Sequence, residues 1–526
     1  MKRKFKIVFG AILAMSMLLT GCGSGTTPTG GQATSNGKSD IVIAINGDFV
    51  SLDPADTNDT LSCGGEKTMI EGLFGFDNDM KVVPLLATEY TANDAASEFT
   101  ITLRKGVEFT DGAPWNADAA IVNFNRLADQ KQGLKRNSLF KMIDHTDKLG
   151  DYQIKIVLKE PFGAMINTLA HPAAGMVSPK ALEAYGKQVS QHPVGTGMYK
   201  FVEWRPGESM KIEKNEKYWG GEVGFKSVTF KPVTESSTRV SMLQSGDADF
   251  IFPVPTENIE GLKADSTISF QSKEGMVVRY LFLNNAKAPF NNIKVRQALN
   301  YAIDKDAYSK VVWNGLSTPT KSIIGPTVQF YKENDIYKYN IEKAKTLLKE
   351  AGYPDGFKTN LWVGNSTSAV KGAEFMQQQL ALVGVTVNIK AMDNGTISDK
   401  VTGLPVGTSG SDAGVEMYTI GWSPSTGDAD WGMRPIASTE SFPPVSYNIS
   451  YYSSPSFDEQ IYAGLKTADK DKRAEAYKKA QDIVWNDAPM VWLGVDHNSW
   501  ASKNTVQGIS VYPDGAINLT KGKPAN

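Results

Sequence analysis

Hydrophobic and polar positions follow two periods along the chain, and each period predicts one type of element. Residues 99–103 (FTITL) alternate apolar and polar side chains, which predicts a strand with one buried face. Residues 295–302 (VRQALNYA) repeat apolar side chains at helical spacing and predict an amphipathic helix. Elements of both kinds interleave through residues 39–526 without a fixed repeat. The pattern therefore predicts an α/β fold.

Local signals predict where several helices begin and end. Asn116 can cap a helix by accepting a backbone hydrogen bond, and Asp118 in the first turn complements the helix dipole. Further helices are predicted over residues 341–351, 375–383 and 469–485, where apolar residues recur and glycine or proline follows.

The first 38 residues carry the pattern of an exported protein with a lipid anchor. A basic start precedes an apolar run over residues 7–19, and these 13 residues are too few for a membrane-spanning helix. The run ends in a sequence that resembles the bacterial lipoprotein box, so we expect a signal peptide over 1–21 and a lipid on Cys22. Residues 22–38 then form a flexible linker, because they are small and polar. An ordinary signal peptide is the alternative.

Composition narrows the possible functions. The 526 residues suffice for about two to four domains, and 55 basic against 57 acidic residues give a net charge of −2. Such a balance provides no field that attracts nucleic acid. Two cysteines exclude a disulfide-stapled scaffold, and four histidines without HxH or HxxxH spacing argue against a metal enzyme. We therefore expect no metal, no cofactor and no nucleic-acid partner.

Motifs for catalysis are missing from the sequence. There is no GxSxG elbow, no Walker A loop and no GxGxxG after a strand. Residues 195–197 (GTG) are expected to form a tight turn instead of a phosphate-binding loop. These observations favour a protein that is not an enzyme, although a cell-surface hydrolase or an adhesin remains a competing hypothesis.

Six stretches, in order along the chain, resemble the extracytoplasmic solute-binding proteins of peptide-type ABC importers, family 5, the dipeptide, oligopeptide and nickel group. They are residues 51–54 (SLDP), 103–112 (LRKGV to DG), 193–199 (PVGTGMY), 243–249 (LQSGDAD), 289–304 (PF to VRQALNYAID) and 344–354 (AKTLLKEAGYP). The chain is thereby identified as a member of that family from about residue 40 to its end.

The resemblance implies a two-lobed, periplasmic-binding-protein-like fold of the class II type, with discontinuous lobes. Lobe I would comprise residues 39–60, 190–275 and 500–526. An extra domain over 61–189 would be inserted into lobe I, and lobe II would span 276–499. The two chain crossings between the lobes are expected near residues 275 and 500.

A narrower resemblance concerns the ligand. Residues 418–430 (YTIGWSPSTGDAD), 58–62 (NDTLS), 134–136 (LKR) and 170–173 (AHPA) are similar to the glutathione-binding member of the family. This implies a lipid-anchored, monomeric receptor on the outer face of a bacterial cell membrane. It would capture glutathione or a related small peptide between two closing lobes and deliver it to an ABC permease. The alternative is a di- or oligopeptide or nickel-chelate receptor of the same family.

Glutathione carries one ammonium and two carboxylates, so a closed site must pair each charge. Dipeptide binders tend to carry an aspartate where this chain has Ser425, and Asp428 becomes the candidate partner for the ammonium. Arginine forks suit carboxylates. The candidate ligand contacts are Asp428, Arg434, Trp422, Ser423, Thr426, Trp431, Asp59, Thr60, Ser62, Arg136 and Arg279. The competing interpretation is structural: turn capping for the aspartate, internal ion pairs for the arginines and core packing for the tryptophans.

Cys63 is left without an intramolecular partner if Cys22 is lipidated. One interpretation is a buried, inert thiol. The other hypothesis places Cys63 beside the ligand loop, where it could form a mixed disulfide with a thiol ligand. Its exposure decides between the two.

Overall fold

The computed structural model describes residues 38–335 and 337–525 and combines strands with helices throughout. The predicted signal peptide over residues 1–21, Cys22 and the linker up to residue 37 lie outside the described residues. None of the described helices is long and apolar enough to cross a membrane.

The structure describes 21 strands, in chain order, between residues 40 and 524. They are β1 Asp40–Ile45, β2 Phe74–Phe76, β3 Val82–Pro84, β4 Ala87–Ala92, β5 Glu98–Leu103, β6 Ile143–Gly150, β7 Gln153–Leu158, β8 Tyr199–Arg205, β9 Ser209–Lys214, β10 Ser227–Pro232, β11 Phe250–Phe252, β12 Ile268–Leu283, β13 Ser317–Thr318, β14 Lys358–Gly364, β15 Thr386–Met392, β16 Met417–Trp422, β17 Met490–Lys503, β18 Val506–Gln507, β19 Ser510–Val511, β20 Ile517–Asn518 and β21 Lys523–Pro524.

The described α-helices lie between these strands. They are α1 Thr60–Glu66, α2 Ala117–Ala128, α3 Asn137–Phe140, α4 Met165–Ala170, α5 Pro179–Tyr185, α6 Ser236–Ser245, α7 Ile259–Ala264, α8 Ile293–Ala302, α9 Lys305–Trp313, α10 Ile341–Glu350, α11 Thr367–Ala381, α12 Asn394–Thr402, α13 Ala429–Ala437, α14 Pro455–Leu465 and α15 Lys470–Asp487. Short 3-10 helices occupy Pro54–Asp56, Gln130–Gln132, Pro172–Ala174, Gly186–Gln191, Thr256–Asn258 and Thr439–Ser441.

The main sheet of the described residues has eleven strands, in the order β15-β14-β16-β12-β17-β11-β1-β10-β9-β8, with β13 beside β17. Parallel and antiparallel pairs are mixed, because β1 pairs in parallel with β10 and β11 while β12 pairs antiparallel with β16 and β17. The non-consecutive strand order requires crossover connections, which the helices supply. A mixed α/β architecture results, as the sequence predicts.

Two long strands connect the two sides of this sheet. The strand β12 has 16 residues and β17 has 14, so each extends for about 45–55 Å. Their pairing is interrupted by two register shifts, between Glu274 and Val278 and between Arg279 and Tyr280. The first shift lies where the sequence places the first crossing between lobes. The lobe boundaries themselves stay a prediction.

A second sheet is formed by four antiparallel strands in the order β4-β5-β7-β6. In β5 the apolar side chains Phe99, Ile101 and Leu103 are buried, which confirms the predicted strand and its buried face. The helix α2 begins after Asn116, whose side chain accepts a hydrogen bond from the Ala119 backbone amide, and this confirms the predicted cap.

Three further predicted helices are present with shifted ends. The helix α10 ends one residue earlier than predicted, and α15 begins one residue later and extends to Asp487. The helix α11 begins eight residues earlier than predicted, because Ser366 caps it by accepting from the Ala369 backbone amide. The cap at Ser366 therefore decides where this helix starts.

One hydrophobic core joins the four-stranded sheet to the site-bearing part of the main sheet. Its buried side chains include Phe99 of β5, Tyr280 of β12 and Trp492 of β17. The same core includes Met433 of α13 and Tyr477 of α15. This packing fixes the segment that follows β16, where most of the candidate ligand contacts lie.

Candidate functional site

The segment after β16 builds an aromatic wall. Trp422 ends the strand, and its indole Nε1 donates a hydrogen bond to the carbonyl oxygen of Trp431 at 2.8 Å. The two indole rings lie 6.1 Å apart, and Tyr447 lies 5.5 Å from Trp422. Between them Gly427 has a φ of +65°, a conformation that favours glycine. The glycine turn thus returns the chain so that both tryptophans lie on one side.

Asp428 has partners within the protein. It caps α13 by accepting from the backbone amide of Asp430 at 2.9 Å, and both of its oxygens lie 2.9 Å from Nη2 of Arg473. Its exposed fraction is 0%. Burial raises the pKa of Asp428, and the charge of Arg473 opposes that rise. The prediction that Asp428 contacts the ligand ammonium does not agree with this geometry, because Asp428 is enclosed and already paired.

Asp430 and Arg434 form a second ion pair, one helical turn apart on α13. The guanidinium donates from Nε and Nη2 to the two carboxylate oxygens, each at 2.8 Å. Nη1 of Arg434 lies 3.7 Å from the Glu440 carboxylate. Arg434 is therefore partly compensated, but it remains at the surface of a cavity. The sequence contains the signal for this pair, since Asp430 and Arg434 are four residues apart on a helix.

The cavity beside α13 has a volume of about 590 Å³. Four predicted contacts line it: Trp422, Thr426, Trp431 and Arg434. Residues that the sequence reasoning did not select also line it, among them Ser138, Lys141, Thr168, Asp430, Glu440 and Tyr447. Lys141 is exposed, and no ion pair involves it within the described part of the chain. Ser423 is absent from this lining, and its carbonyl accepts from the Ser425 amide.

Arg279 lies in the main sheet and is bound by an acid on the neighbouring strand. Its Nε and Nη2 atoms are 2.8 and 2.7 Å from Oδ2 of Asp496, and its guanidinium lies 4.7 Å from the Trp313 ring. This arrangement agrees with the competing interpretation of an internal ion pair. Arg279 does not line the cavity beside α13, where its predicted contact with the ligand would be made.

The predicted loop contacts at the start of α1 satisfy one another. Asp59 accepts from the Ser62 backbone amide at 2.8 Å and from the Ser62 hydroxyl at 2.7 Å. The Ser62 hydroxyl also accepts from the Val50 amide. Thr60 is exposed. These groups define the beginning of α1, and their predicted ligand contacts stay predictions.

Arg136 differs from the other candidate arginines because no carboxylate in the described part of the chain pairs with it. Its Nε donates to the Thr57 carbonyl at 2.7 Å. It stands directly before α3, whose Ser138 and Leu139 line the cavity. Arg136 itself is absent from the cavity lining, and its predicted contact with a ligand carboxylate stays a prediction.

Two hydrogen bonds connect residues 61–189 to the turn that follows β16. Nδ1 of His171 accepts from the Ala173 amide at 3.0 Å, so Nε2 carries the proton and donates to the Ser425 hydroxyl at 3.2 Å. The Asn167 amide donates to the Thr426 carbonyl at 3.2 Å. Burial lowers the pKa of His171, and the charges of Arg136 and Lys67 lower it further. A neutral histidine therefore faces the hydroxyl group of Ser425.

Cys63 is buried, with an exposed fraction of 7%. Burial raises the pKa of this thiol to about 12. Almost none of it is the reactive thiolate at neutral pH. The structure supports the interpretation of an inert thiol and argues against the hypothesis of a mixed disulfide with the ligand.

A second cavity, of about 1120 Å³, also borders α4, through Ile166 and Asn167. Residues 88–92 of β4 line it together with Asn167, Gln329 and Arg473. Within residues 38–335 and 337–525 no group of three or more histidine, cysteine, aspartate or glutamate side chains could hold a metal ion.

Comparison with known sequences decides the family. Residues 81–443 match the model of the bacterial extracellular solute-binding proteins, family 5, middle part. The chain belongs to this family. Six sequence motifs predict the same family, and the match confirms that prediction.

Relatives and solved structures agree with this assignment to family 5. The chain is 43% identical to the glutathione-binding protein GsiB of Pectobacterium atrosepticum over 477 residues, which are 90% of this chain and 92% of that protein. HbpA2 from Haemophilus parasuis has a TM-score of 0.82 at 26% identity, covering 93% of this chain and 100% of that one. DppA from Helicobacter pylori, in complex with the peptide STSA, has a TM-score of 0.74 at 28% identity, covering 92% and 98%. The predicted two-lobed binding-protein fold is thereby confirmed.

Proposed function

We propose that this protein is the substrate-binding receptor of an ABC importer and that it captures glutathione or a closely related small peptide. The observation that carries the proposal is the 43% identity to a glutathione-binding protein across 90% of the chain. The receptor forms and breaks no covalent bond. Its lipid anchor would be Cys22, which lies outside the described residues.

The cavity beside α13 supports a small, charged, flexible ligand. Its volume of about 590 Å³ lies within the range of roughly 300–1,000 Å³ that is usual for small-molecule sites. Trp422 and Trp431 provide apolar walls for the methylene groups of the ligand, and Thr426 provides polar atoms for its amides. Arg434 and Lys141 offer positive charge for a terminal carboxylate.

Capture would proceed by closure of the two predicted lobes. Contacts from residues 61–189 and from the turn after β16 already meet at Asn167 and Thr426, as well as at His171 and Ser425. A ligand that touches both sides adds free energy only to the closed arrangement, so it shifts the population toward that form. The permease would then recognise the closed form.

Calorimetric titration and thermal unfolding with a ligand panel test this proposal. The panel contains reduced and oxidised glutathione, Met-Leu, tetra-alanine and a nickel–histidine chelate. A ligand at 100 times its dissociation constant stabilises the native state by about 2.7 kcal/mol. We expect this shift with a glutathione form. A shift with the peptides or the nickel chelate and none with either glutathione form would contradict the proposal and favour the alternative within the family.

A matched pair of lysine variants locates the site. Lys141→Ala removes a cavity charge that has no ion-pair partner in the described chain, so we expect weaker glutathione binding by about tenfold, which is about 1.4 kcal/mol. Lys131→Ala removes an exposed charge outside the cavity lining and serves as the control. Equal affinities for the two variants would exclude the cavity beside α13 as the glutathione site.

A further inference from the structure

In the part of the chain that the structure describes, two acids and two bases line the cavity beside α13. The acids are Asp430 and Glu440. The bases are Lys141 and Arg434. A ligand ammonium that leaves water for this cavity needs an acid as its partner, because an unpaired charge is strongly destabilised there. Asp428, the predicted partner, is fully buried and already paired within the protein.

Asp430 is also engaged. Its exposed fraction is 1%, and its two oxygens accept from Nε and Nη2 of Arg434, each at 2.8 Å. Such a bidentate pair uses two of the three guanidinium nitrogens and both carboxylate oxygens. The charges of Asp430 and Arg434 therefore largely cancel each other within α13.

Glu440 is the acid whose carboxylate remains accessible from the cavity. Its side chain is 51% exposed, and its ion-pair contact within the described residues is Nη1 of Arg434 at 3.7 Å, which is longer than a hydrogen bond. Burial and the neighbouring Glu440 carboxylate raise the pKa of Tyr462, so this phenol stays protonated at neutral pH. A carboxylate has about four acceptor positions, so these two neighbours leave Glu440 able to accept from an ammonium.

The backbone that carries Glu440 is held by hydrogen bonds. The exposed fraction of Ser438 is 0%, and its carbonyl accepts from Nδ2 of Asn448 at 2.9 Å. The Thr439 amide donates to Oδ1 of Asp458 at 3.1 Å. An anchored turn therefore positions Glu440, and binding an ammonium requires the ordering of one side chain only.

Lys141 is the second cavity charge without a close partner. It is exposed, and no ion pair involves it among the residues that the structure describes. By the predicted boundaries Lys141 lies in the inserted domain of lobe I, and Glu440 lies in lobe II. The cavity lining thus offers one uncompensated positive charge and one uncompensated negative charge, each from a different part of the chain. A ligand that carries both a carboxylate and an ammonium supplies a partner for each.

We propose that Glu440 binds the ammonium of the ligand and makes a free amino group a requirement for binding. The inference rests on the proposed function and deepens it, because it names the class of ligand that the cavity selects. That class is the small zwitterionic peptide with a free amino group. A ligand with carboxylates and no ammonium leaves Glu440 unpaired beside a like charge, and this repulsion excludes it.

The sign of the effect of Glu440 separates a direct contact from general electrostatics. Two carboxylates and one ammonium give glutathione a net charge of about −1 at neutral pH. Removing a negative charge from the cavity favours an anionic ligand when that charge does not touch the ammonium. A neutral side chain at position 440 that weakens glutathione binding therefore indicates a direct contact with the ammonium.

Calorimetric titration of the mature chain with glutathione and glutaryl-Cys-Gly tests the proposal. Glutaryl-Cys-Gly keeps both carboxylates of glutathione and lacks only the amino group. We expect the wild type to bind it at least 100-fold more weakly than glutathione. Glu440→Gln should bind glutathione at least tenfold more weakly than the wild type does, and it should bind glutaryl-Cys-Gly at least as tightly, since the repulsion is removed.

Glu440→Gln keeps the shape of a half-exposed side chain, so its unfolding temperature should match the wild type. Glu459→Gln, at an exposed acid outside the cavity lining, is the matched control and should bind both ligands as the wild type does.

Three results would overturn the role of Glu440 alone. They are glutathione binding that Glu440→Gln leaves unaltered or strengthens, equal weakening of both ligands, and equal affinities of the wild type for the two ligands. Equal weakening would indicate a structural role of the side chain. Failure of the wild type to bind glutathione would overturn the proposed function, and the role of Glu440 with it.

Discussion

Burial changes the acid–base chemistry of two individual side chains, Cys63 and His171. In water a cysteine thiol ionises with a pKa of about 8.5, and a histidine becomes charged below a pH of about 6.5. In the fold, burial raises the pKa of Cys63 to about 12 and lowers that of His171. Both groups are therefore neutral at pH 7, and each neutral form leads to a testable prediction.

We predict that native protein in which Cys22 is replaced by serine gains no adduct from oxidised glutathione. The Cys63 thiol is shielded and almost entirely protonated, so it cannot attack a disulfide at an appreciable rate. Intact mass spectrometry checks this, with the same protein in 8 M urea as the control that should acquire one glutathione. An adduct on the native protein would show that Cys63 is accessible.

His171 should make the protein less stable in acid. The unfolded chain binds a proton at the ordinary histidine pKa of 6.5, whereas the folded chain binds it only at a lower pH. As pH falls below about 6.5, protonation therefore favours the unfolded state, by up to about 1.4 kcal/mol for each pH unit. Above pH 6.5 the stabilisation from the neutral histidine is complete.

Urea unfolding of wild type and His171→Gln between pH 7.5 and 4.5 measures this contribution. We expect the wild type to lose more stability than the variant on acidification, because glutamine does not titrate. His145→Gln, at an exposed histidine, is the control and should follow the wild type. Parallel curves for wild type and His171→Gln would contradict the assignment.

The sequence predicts side-chain chemistry better than it predicts partners. Trp422, Trp431 and Arg434 are selected from a short motif, and all three line the cavity. Asp428 and Arg279 are also predicted ligand contacts, yet each already forms an ion pair within the protein. Asp428 pairs with Arg473, and Arg279 pairs with Asp496. These partners lie 45 and 217 residues away along the chain, and no local pattern identifies such pairs.

At the level of elements, α13 depends on an ion pair contributed by α15. Asp428 caps the first turn of α13, and Arg473 of α15 neutralises its charge in a dry environment. Asp430, Trp431, Arg434 and Pro435 of α13 line the cavity. The position of the cavity wall therefore depends on a contact between two helices that are distant in sequence.

We predict that Arg473→Met lowers the free energy of unfolding by about 3–5 kcal/mol, because it leaves the carboxylate of Asp428 buried and unpaired. Arg473→Met combined with Asp428→Asn should regain most of that loss, since asparagine still caps the helix and carries no charge. Urea denaturation at pH 7 measures both. A double variant as unstable as the single one would show that the loss comes from packing of the arginine instead.

Helix and strand positions follow from local pattern where capping and periodicity agree. The strand β5 and the cap of α2 are predicted correctly for this reason. Apolar spacing alone predicts a start of α11 that is too late, because residues 367–374 contain few apolar side chains and only the serine cap marks the boundary. The order of strands in the main sheet depends on long-range pairing and is not readable from such signals.

At the scale of the whole molecule, β12 and β17 run through the sheet on both sides of the predicted hinge. Residues 268–274 of β12 pair with the end of β17, and residues 278–282 pair with its beginning. The register shift between these two regions is a place where the sheet can twist with little loss of hydrogen bonds. Lobe closure would take place there.

We predict that glutathione shortens the mean distance between spin labels at Lys131→Cys and Asp399→Cys and narrows the distribution of these distances. By the predicted boundaries the two labels lie in the inserted domain and in lobe II. The buried Cys63 should remain unlabelled, and Cys22 is replaced by serine. A second pair, Lys131→Cys and Asp144→Cys, lies within residues 61–189 and should not change. Pulsed electron double resonance measures both pairs. An unchanged first pair under saturating ligand would contradict closure.

The passage of β12 and β17 through both sides of the sheet has a practical use. Because hydrogen-bonded strands connect the two predicted lobes, ligand binding would change the angle between the lobes. The surface of each lobe would keep its own structure. A pair of fluorophores attached far from the cavity would then report the ligand without touching it. The protein is for this reason a suitable scaffold for an optical sensor. The cavity segment after β16 would be redesigned, and the predicted hinge in β12 and β17 would be left unchanged.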